Sequence, residues 1–344
     1  MKRKRVFYGI LLICLALLVV ALFYFWPNPS PETNLIRFGY MPGNMNGAPF
    51  YIALVKGFFD EHNIKIETVP LSSGSEVKQA ISAGQIDIAF AGASNFLIPI
   101  SKGVPIKVIA PMSFTHTYLY VRPDNNTRTF KDLEGKSIAI SPGGINEYEI
   151  RRILKKEKID ISEINFVNII DKINRPIALM EKKIVDAVPI DYEDLAKYSE
   201  LDAVPLEEWE TKGYDNRYKL DTVIVVNEEF KRAHPLLVEQ FIDGLIDGHR
   251  FMKLNPEESA ATVSSYIETD TSGALVYVPE NLNAMWENKI LTFTLWDDPT
   301  VLIEMAEIAV EIGQIDSNLT LDQIYDLSFE KKLKDAQNEI YSTN

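Results

Sequence analysis

The stretch that decides the fold is Gly84–Pro111, GQIDIAFAGASNFLIPISKGVPIKVIAP. A polar turn feeds a short apolar run, Ile86 to Ala91. A turn of small residues, Gly92 to Ser94, then opens an amphipathic helix. The chain turns again at Gly103 and enters a second apolar run, Val104 to Ala110. This spacing predicts a strand–helix–strand unit. Its small-residue turn falls at the carboxyl end of the strand, where open α/β sheets bind ligands.

The same unit recurs outward from that stretch. Leu35–Tyr40 alternates and ends in a Pro-Gly-Asn turn, which predicts a strand. Pro49 opens a helix to about Asp60, with Phe50, Ala53, Leu54, Gly57 and Phe58 at helical spacing. Ile64–Val69 reads as a strand, and Ser73-Gly-Ser-Glu76 as the capping box of a helix ending at Gly84. A second round follows: strand Lys136–Ile140, turn Ser141-Pro-Gly-Gly144, helix Asn146–Lys156, strand Ile164–Ile169, helix Ile173–Lys182 and strand Ile184–Pro189. Asp186-Ala-Val-Pro189 echoes Asp87-Ile-Ala-Phe90.

Two such units in succession predict two α/β lobes of one architecture. Thr117–Val121 and Leu220–Val226 bracket the second unit and are the candidate crossovers of a hinge. Beyond Asn227 the pattern turns helical. Pro235 starts a helix whose apolar stripe is Leu237, Val238, Phe241, Ile242, Leu245 and Met252. Pro256–Ile267, Glu280–Lys289, Val301–Gly313 and Phe329–Ile340 read as further helices. The expected segmentation is lobe one from 35–117 plus 227–344 and lobe two from 118–226.

Apolar and charged contents of 46% and 24% are those of an ordinary globular chain, and 344 residues are enough for two lobes of normal size. The formal net charge of −14 hides a segregation. Lys2, Arg3, Lys4 and Arg5 are the charged residues of the first 26, which leaves residues 27–344 at −18. An acidic body argues against nucleic acid as a partner, because phosphate binding needs a basic surface. The single cysteine, Cys14, rules out an intramolecular disulfide and a cysteine-rich metal site.

Val6–Trp26 contains no charged residue and is long enough to cross a bilayer as a helix. Phe23, Tyr24, Phe25 and Trp26 sit where an interfacial aromatic belt forms, and residues 1–5 stay cytoplasmic by the excess of positive charge. A cleaved signal peptide needs small residues before the cut, and Phe-Tyr-Phe-Trp-Pro offers none. A lipoprotein would use Cys14, but bulky Ile13 precedes it. The expectation is an uncleaved transmembrane anchor over 6–26. An extended spacer over 27–34 follows, with the body on the extracytoplasmic side of the membrane.

Strand-end turns and helix N-termini are the candidate ligand contacts, because their free N–H groups hold oxygen-bearing ligand groups. In the first unit these are Asn44 and Asn46, Ser73 and Ser75, and Ala93, Ser94 and Asn95. In the second they are Gly143, Gly144 and Asn146. Helix capping accounts for Ser94, Asn95 and Asn146 equally well, and a tight turn for the two glycines. His116 at a strand entrance, Asp191 at a strand end and Tyr192 after it complete the set. No Arg or Lys falls in the four turns, whereas Glu76, Glu147 and Asp191 lie in or beside them. That favours a neutral or cationic polar ligand over one gripped by a guanidinium. Stabilisation of helix N-termini by these acids is the plainer alternative.

Catalytic patterns are missing. Gly92-Ala-Ser-Asn-Phe96 is not a Gly-x-Ser-x-Gly elbow. His62, His116, His234 and His249 lack metal spacing, and Gly143-Gly144 lacks the Lys-Ser/Thr of a phosphate loop. The expectation is a protein that is not an enzyme and carries no cofactor and no metal.

From about Leu35 to Asp326 the chain resembles the nitrate/sulfonate/taurine and thiamine-pyrimidine-precursor branch of ABC-transporter solute-binding proteins. The resemblance runs through Gly39-Tyr-Met-Pro-Gly43, Ala53-Leu-Val-Lys-Gly-Phe-Phe59, Ser72-Ser-Gly-Ser-Glu76 and the Gly84–Gly92 stretch. It continues through Lys131-Asp-Leu-Glu-Gly-Lys-Ser-Ile-Ala139, Ser141-Pro-Gly-Gly144, Val225-Val-Asn-Glu-Glu-Phe-Lys231, His234-Pro-Leu-Leu-Val238 and Trp296-Asp-Asp-Pro299. It implies the type II periplasmic-binding-protein fold, two lobes closing on a small-molecule solute, with an ABC permease and its ATPase as partners. Where the family often shows Trp-Glu-Pro-Tyr after the second-lobe strand, this chain has Asp191-Tyr-Glu-Asp194. Fungal pyrimidine-synthase relatives carry a cysteine-rich motif, which the body lacks. A sensory ectodomain would share the binding fold and stands as the alternative.

Overall fold

The computed structural model describes residues 34–115, 117–169, 174–191, 202–212, 222–270 and 291–341. Its strands, in chain order, are β1 (Leu35–Tyr40), β2 (Lys65–Pro70), β3 (Ile88–Gly92), β4 (Ile106–Thr115), β5 (Thr117–Val121), β6 (Ser137–Ile140), β7 (Asn165–Asn168), β8 (Ala187–Asp191), β9 (Val204–Pro205), β10 (Thr222–Asn227) and β11 (Leu291–Phe293). They form two sheets, one ordered β11-β4-β10-β3-β1-β2 and the other β7-β6-β8-β5-β9. Residues 35–115 and 222–293 supply the first sheet, residues 117–205 the second.

The first sheet is covered on both faces. β10, TVIVVN, is buried at every position and lies antiparallel between β3 and β4. A β-branched run with no polar alternation signals such a strand. Ile224 and Val226 point into one core, with Phe38, Phe90 and Met112. Helices α1 (Ala48–Lys56) and α9 (Pro235–Leu254) close that face. Val223 and Val225 point into the other core, with Ala89, Ala91 and Val108. There α3 (Gly74–Ser82), α4 (Ser94–Ser101) and α11 (Thr300–Glu311) form the cover. A Cβ at Gly248 would lie 2.4 Å from the Pro49 carbonyl oxygen, so α9 and α1 approach as closely as a glycine permits.

The second sheet repeats the plan with smaller cores. Leu119, Ile138 and Ile140 pack with Ile150, Ile153 and Leu154 of α5 (Ile145–Lys156). Ala139, Val188 and Ile190 pack with Ala178 and Leu179 of α6 (Asn174–Met180). The Asp87/Asp186 echo is structural. Asp87 Oδ2 accepts from the Arg37 backbone N–H at 2.8 Å, and Asp186 Oδ2 accepts from that of Ser137 at 3.0 Å. Each aspartate precedes a parallel strand and pins the amino end of its neighbour, β1 or β6.

The structure departs from expectation in several places. Residues 222–226, expected at the end of lobe two, belong to β10 inside the first sheet. The helix expected over 49–60 breaks at Gly57, whose φ of +79° ends α1 before a short α2 (Phe58–Glu61). The reciprocal arm of the capping box is displaced: Glu76 accepts from Ser72 N–H at 2.8 Å rather than from the Ser73 cap. The strand expected over 184–189 is β8, shifted to 187–191, because Lys183 takes a positive φ of 52° in the turn before it. The remaining described helices are α7 (Glu207–Thr211), α8 (Glu228–Ala233), α10 (Pro256–Asp270), α12 (Leu321–Ile324) and α13 (Glu330–Tyr341).

The anchor expected over 6–26 and the helix expected over 280–289 lie outside the described residues. Among the described residues, no helix is long and apolar enough to cross a membrane.

Candidate functional site

Strand directions bring the two sheets' carboxyl edges to one joint. β1 is parallel to β3, and β10 is antiparallel to both β3 and β4, so β1, β3 and β4 all end at the same edge. Thr222, the first residue of β10, pairs there with Gly92 and Ser113. In the second sheet β6 is parallel to both β7 and β8, and β5 runs back antiparallel to β8. Thr117, the first residue of β5, therefore pairs with Asp191, the last of β8. One residue separates Thr115, the end of β4, from Thr117.

On the first-sheet side the expected turns lie at this edge. Asn44 Oδ1 accepts from Asn46 N–H at 3.0 Å, and Tyr51 Oη donates to the Asn44 carbonyl at 3.0 Å, which holds the turn after β1 with Asn46 buried. Ser73 Oγ accepts from Glu76 N–H at 3.3 Å, while Ser75 in the next position is exposed. Ala93 and Ser94 are buried at the start of α4, and Asn95 Nδ2 donates to the Gly92 carbonyl at 3.0 Å. A Cβ at Gly74 would lie 2.7 Å from Asn95 Nδ2, so the turns after β2 and β3 touch.

On the second-sheet side the structure gathers residues 74 positions apart. The Thr117 hydroxyl donates to Asp191 Oδ1 and lies 3.3 Å from Asn146 Oδ1. All three side chains are buried. Trp209 Nε1 donates to the Thr117 carbonyl at 3.1 Å and fixes the backbone there. Gly143 adopts a φ of +74°, and its N–H donates to Glu147 Oε2 at 2.8 Å. Gly144 N–H closes the turn on the Ser141 carbonyl at 2.8 Å. The other Glu147 oxygen accepts from Arg151 Nε at 2.9 Å, so this buried acid is compensated within its own helix. His116 and Tyr192 lie outside the described residues.

Reading from sequence missed three contributors. Thr117 opens the run read as a hinge crossover but is not among the expected ligand contacts, although its place beside the joint is a usable signal. Arg175, the second residue of α6, is buried just beyond the end of β7, with Nε donating to the Ile169 carbonyl at 3.0 Å. A basic donor therefore does stand at the carboxyl edge of the second sheet, at a strand end that the four-turn count left out. Gln314 left no local signal, since it follows α11 far along the chain.

Helix α5, which begins at this site, bridges two cores. Ile150, Ile153 and Leu154 pack on the second sheet, while Tyr148 packs with Leu302, Met305 and Ala306 of α11. Burial and then the charge of Glu147 push the Tyr148 phenol well above its usual pKa, so it stays a hydrogen-bond donor. Arg152 reaches Glu149 at 3.0 Å and Glu304 at 3.5 Å, and Lys155 pairs with Glu311. Among the described residues, no group of three His, Cys, Asp or Glu side chains is placed to hold a metal ion.

The geometry can be set beside known proteins. A protein of Brucella abortus (strain 2308) named as a binding protein is 21% identical over 305 residues, covering 88% of this chain and 93% of its own length. The taurine-binding periplasmic protein of Escherichia coli (strain K12) is 25% identical over 203 residues, covering 58% and 61% of the two chains. The crystal structure of the periplasmic aliphatic sulphonate binding protein from Escherichia coli superposes with a TM-score of 0.66 at 15% identity, covering 86% of this chain and 93% of that one. The two-sheet α/β architecture is thus the periplasmic-binding-protein fold. Residues 44–259, more than half of the sequence, match one family along their whole extent, and the chain belongs to the NMT1/THI5-like family.

Proposed function

We propose that the protein is the extracytoplasmic solute-binding component of an ABC importer. It captures a small organic solute, sulfonate/taurine-like or thiamine-pyrimidine-like, and delivers it to a permease. The observation that carries this reading is the joint itself. The carboxyl edges of two α/β sheets meet across the single residue between Thr115 and Thr117, with buried Asn146 and Asp191 beside it. Clefts with a few convergent polar groups are where such folds take ligands.

In this reading lobe one, expected as 35–117 plus 227–344 and extended back to take in β10 (Thr222–Asn227) of the first sheet, and lobe two, the rest of 118–226, close on the solute. Asn44, Asn46, Ser73, Ser75, Ala93, Ser94 and Asn95 face it from one side. Gly143, Gly144, Asn146 and Asp191 face it from the other, and Tyr192 and His116 join the proposed contacts from their places in the sequence alone. Differential affinity for the closed state drives closure. Residues 6–26 anchor the chain in the membrane, and ATP hydrolysis belongs to a separate subunit. The names of the taurine- and sulphonate-binding relatives support the solute class.

Thermal melting of the full chain in detergent, against sulfonates, nitrate, pyrimidines and amines, tests the reading. A solute at ~100 times its dissociation constant adds about 2.7 kcal/mol of stability. A saturable shift with one compound class is the expected result. A flat response across all classes argues against solute capture.

A further inference from the structure

Resting on the reading that the joint binds a solute, we propose that Gln314 brings an oriented amide NH2 to the Ser141–Gly144 turn. That group donates a hydrogen bond to an acceptor atom of the solute, a sulfonate or nitrate oxygen or a heterocycle nitrogen. Proton counting fixes the orientation. Tyr148 is 1% exposed, and its hydroxyl lies 2.5 Å from Gln314 Oε1. Burial and then the charge of Glu147 keep the phenol protonated, so its one proton needs an acceptor there. Only the oxygen of an amide accepts, and the two ends of an amide are told apart by their partners. The Gln314 NH2 is therefore turned away from Tyr148.

That end rests against the turn of the other lobe. A Cβ at Gly143 would lie 3.0 Å from Gln314 Nε2 and 3.4 Å from Oε1, so any side chain there would crowd the amide. Glycine leaves the space to the NH2. Among the described residues, Gln314 Nε2 has no hydrogen-bond partner. The glycine N–H groups of the turn are already engaged. Gly143 donates to Glu147 Oε2 and Gly144 to the Ser141 carbonyl, each at 2.8 Å. A donor that the turn's own backbone was expected to offer is thus supplied by a side chain from beyond α11.

The backbone behind this amide is fixed. Gln314 N–H donates to the Ala309 carbonyl at 2.8 Å, and buried Ile315 next to it packs in the core under α11. A donor held in place before binding spares the solute the cost of ordering it. Gln314 is half-buried, so a bound solute takes its NH2 out of water. A solute without an acceptor leaves that donor unpaired, the situation in which binding sites discriminate most strongly. A neutral amide also recognises an oxygen without a guanidinium, in keeping with turns that hold no Arg or Lys.

The test uses taurine, ethanesulfonate, pyrimidine, 4-aminopyrimidine and nitrate, with affinities measured by calorimetry on the full chain in detergent. Gln314→Met keeps the length and removes the donor. It should weaken each compound that the parent binds by at least about tenfold. Gln314→Glu keeps an acceptor for Tyr148 and puts a carboxylate oxygen where the NH2 was. It should weaken pyrimidine and ethanesulfonate more than their amino-bearing partners, 4-aminopyrimidine and taurine, because a carboxylate accepts from an amino group. Melting curves establish that each variant is folded, and either one carries the test if the other is not. Unchanged affinities in folded Gln314→Met overturn the donor role and leave solute capture standing. So does equal binding of every compound by the parent and folded Gln314→Glu, which would make Gln314 a brace for Tyr148 alone. No binding of any of the five compounds by the parent overturns the capture reading for these classes and the donor role with it.

Discussion

The Tyr148 hydroxyl donates to Gln314 Oε1 at 2.5 Å, joining residues 166 positions apart. The bond ties α5, which starts at Ile145, to the segment that follows α11. Gly143 touches the same glutamine: a Cβ there would lie 3.0 Å from Gln314 Nε2. Gln314 thus braces both the turn and the helix of the candidate site from the opposite core.

Tyr148→Phe removes the donor and leaves the Gln314 oxygen dependent on water. The expected loss is about 1 kcal/mol in urea unfolding. If α5 and α11 separate when the lobes open, small-angle scattering of the solute-free variant should show a larger radius of gyration. Scattering and unfolding curves identical to the parent's would mark the contact as incidental. The neighbouring Lys155–Glu311 pair is largely exposed and should contribute little.

Gly143→Ala should cost about 1 kcal/mol, because a φ of +74° places the new Cβ in the left-handed region. It should also weaken solute binding by displacing Gln314. Gly313→Ala is the control. Its φ is +72° but nothing lies within 4 Å of the new methyl, so stability falls by a similar amount and affinity holds. Equal affinity losses in the two variants would refute a local role for Gly143.

Asp87→Ala should destabilise by about 2 kcal/mol with solute affinity unchanged. Asp87 accepts three bonds from Arg37, at 2.8, 3.1 and 2.6 Å, at the amino end of β3 and away from the joint. The Arg37 side chain is 40% exposed, so the guanidinium left behind stays hydrated and the loss falls short of a fully buried pair. Asp186 holds the matching place. Burial raises its pKa, but the Ser137 backbone and hydroxyl bonds and nearby Lys136 and Arg122 outweigh that and hold it low. A depressed carboxyl pKa stabilises above the unfolded value, so this contribution should vanish as the pH falls through the folded one. A changed dissociation constant in Asp87→Ala would contradict its assignment to the far edge.

His249 sets a second acid limit. It is wholly buried, with Nδ1 2.8 Å from the Tyr341 hydroxyl, and burial lowers its pKa to about 3. Between about pH 6.5 and 3 the unfolded chain binds a proton that the folded chain refuses, so stability declines as the pH drops through that window. From pH 6.5 to 5 this one group should remove about 2 kcal/mol. His249→Gln should flatten that slope in unfolding measured at pH 7.5 and 5.0. Parallel slopes in parent and variant would exclude the histidine as the cause.

Much of the architecture was legible because it is written in local periodicity. The Gly84–Pro111 stretch shows its strand, turn and helix through spacing that needs no partner, and the structure places β3, α4 and β4 there. Asp87 and Asp186 could be matched by eye because equivalent strands start with the same device. The break at Gly57 was harder to read, since the apolar spacing runs unbroken through a residue whose backbone leaves the helical region.

The sequence by itself determined the α/β class, the repeated unit, and the position of polar turns at strand ends, because these follow from hydrophobic period and turn chemistry over a few residues. Only the tertiary structure decided which of those turns share a site. Asp191 meets Thr117 through the antiparallel register of β8 and β5, and Gln314 meets Tyr148 through the packing of α11 on α5. Both meetings depend on the closure of long loops and the burial of distant surfaces. No local pattern in the chain encodes the distance between residues brought together in that way.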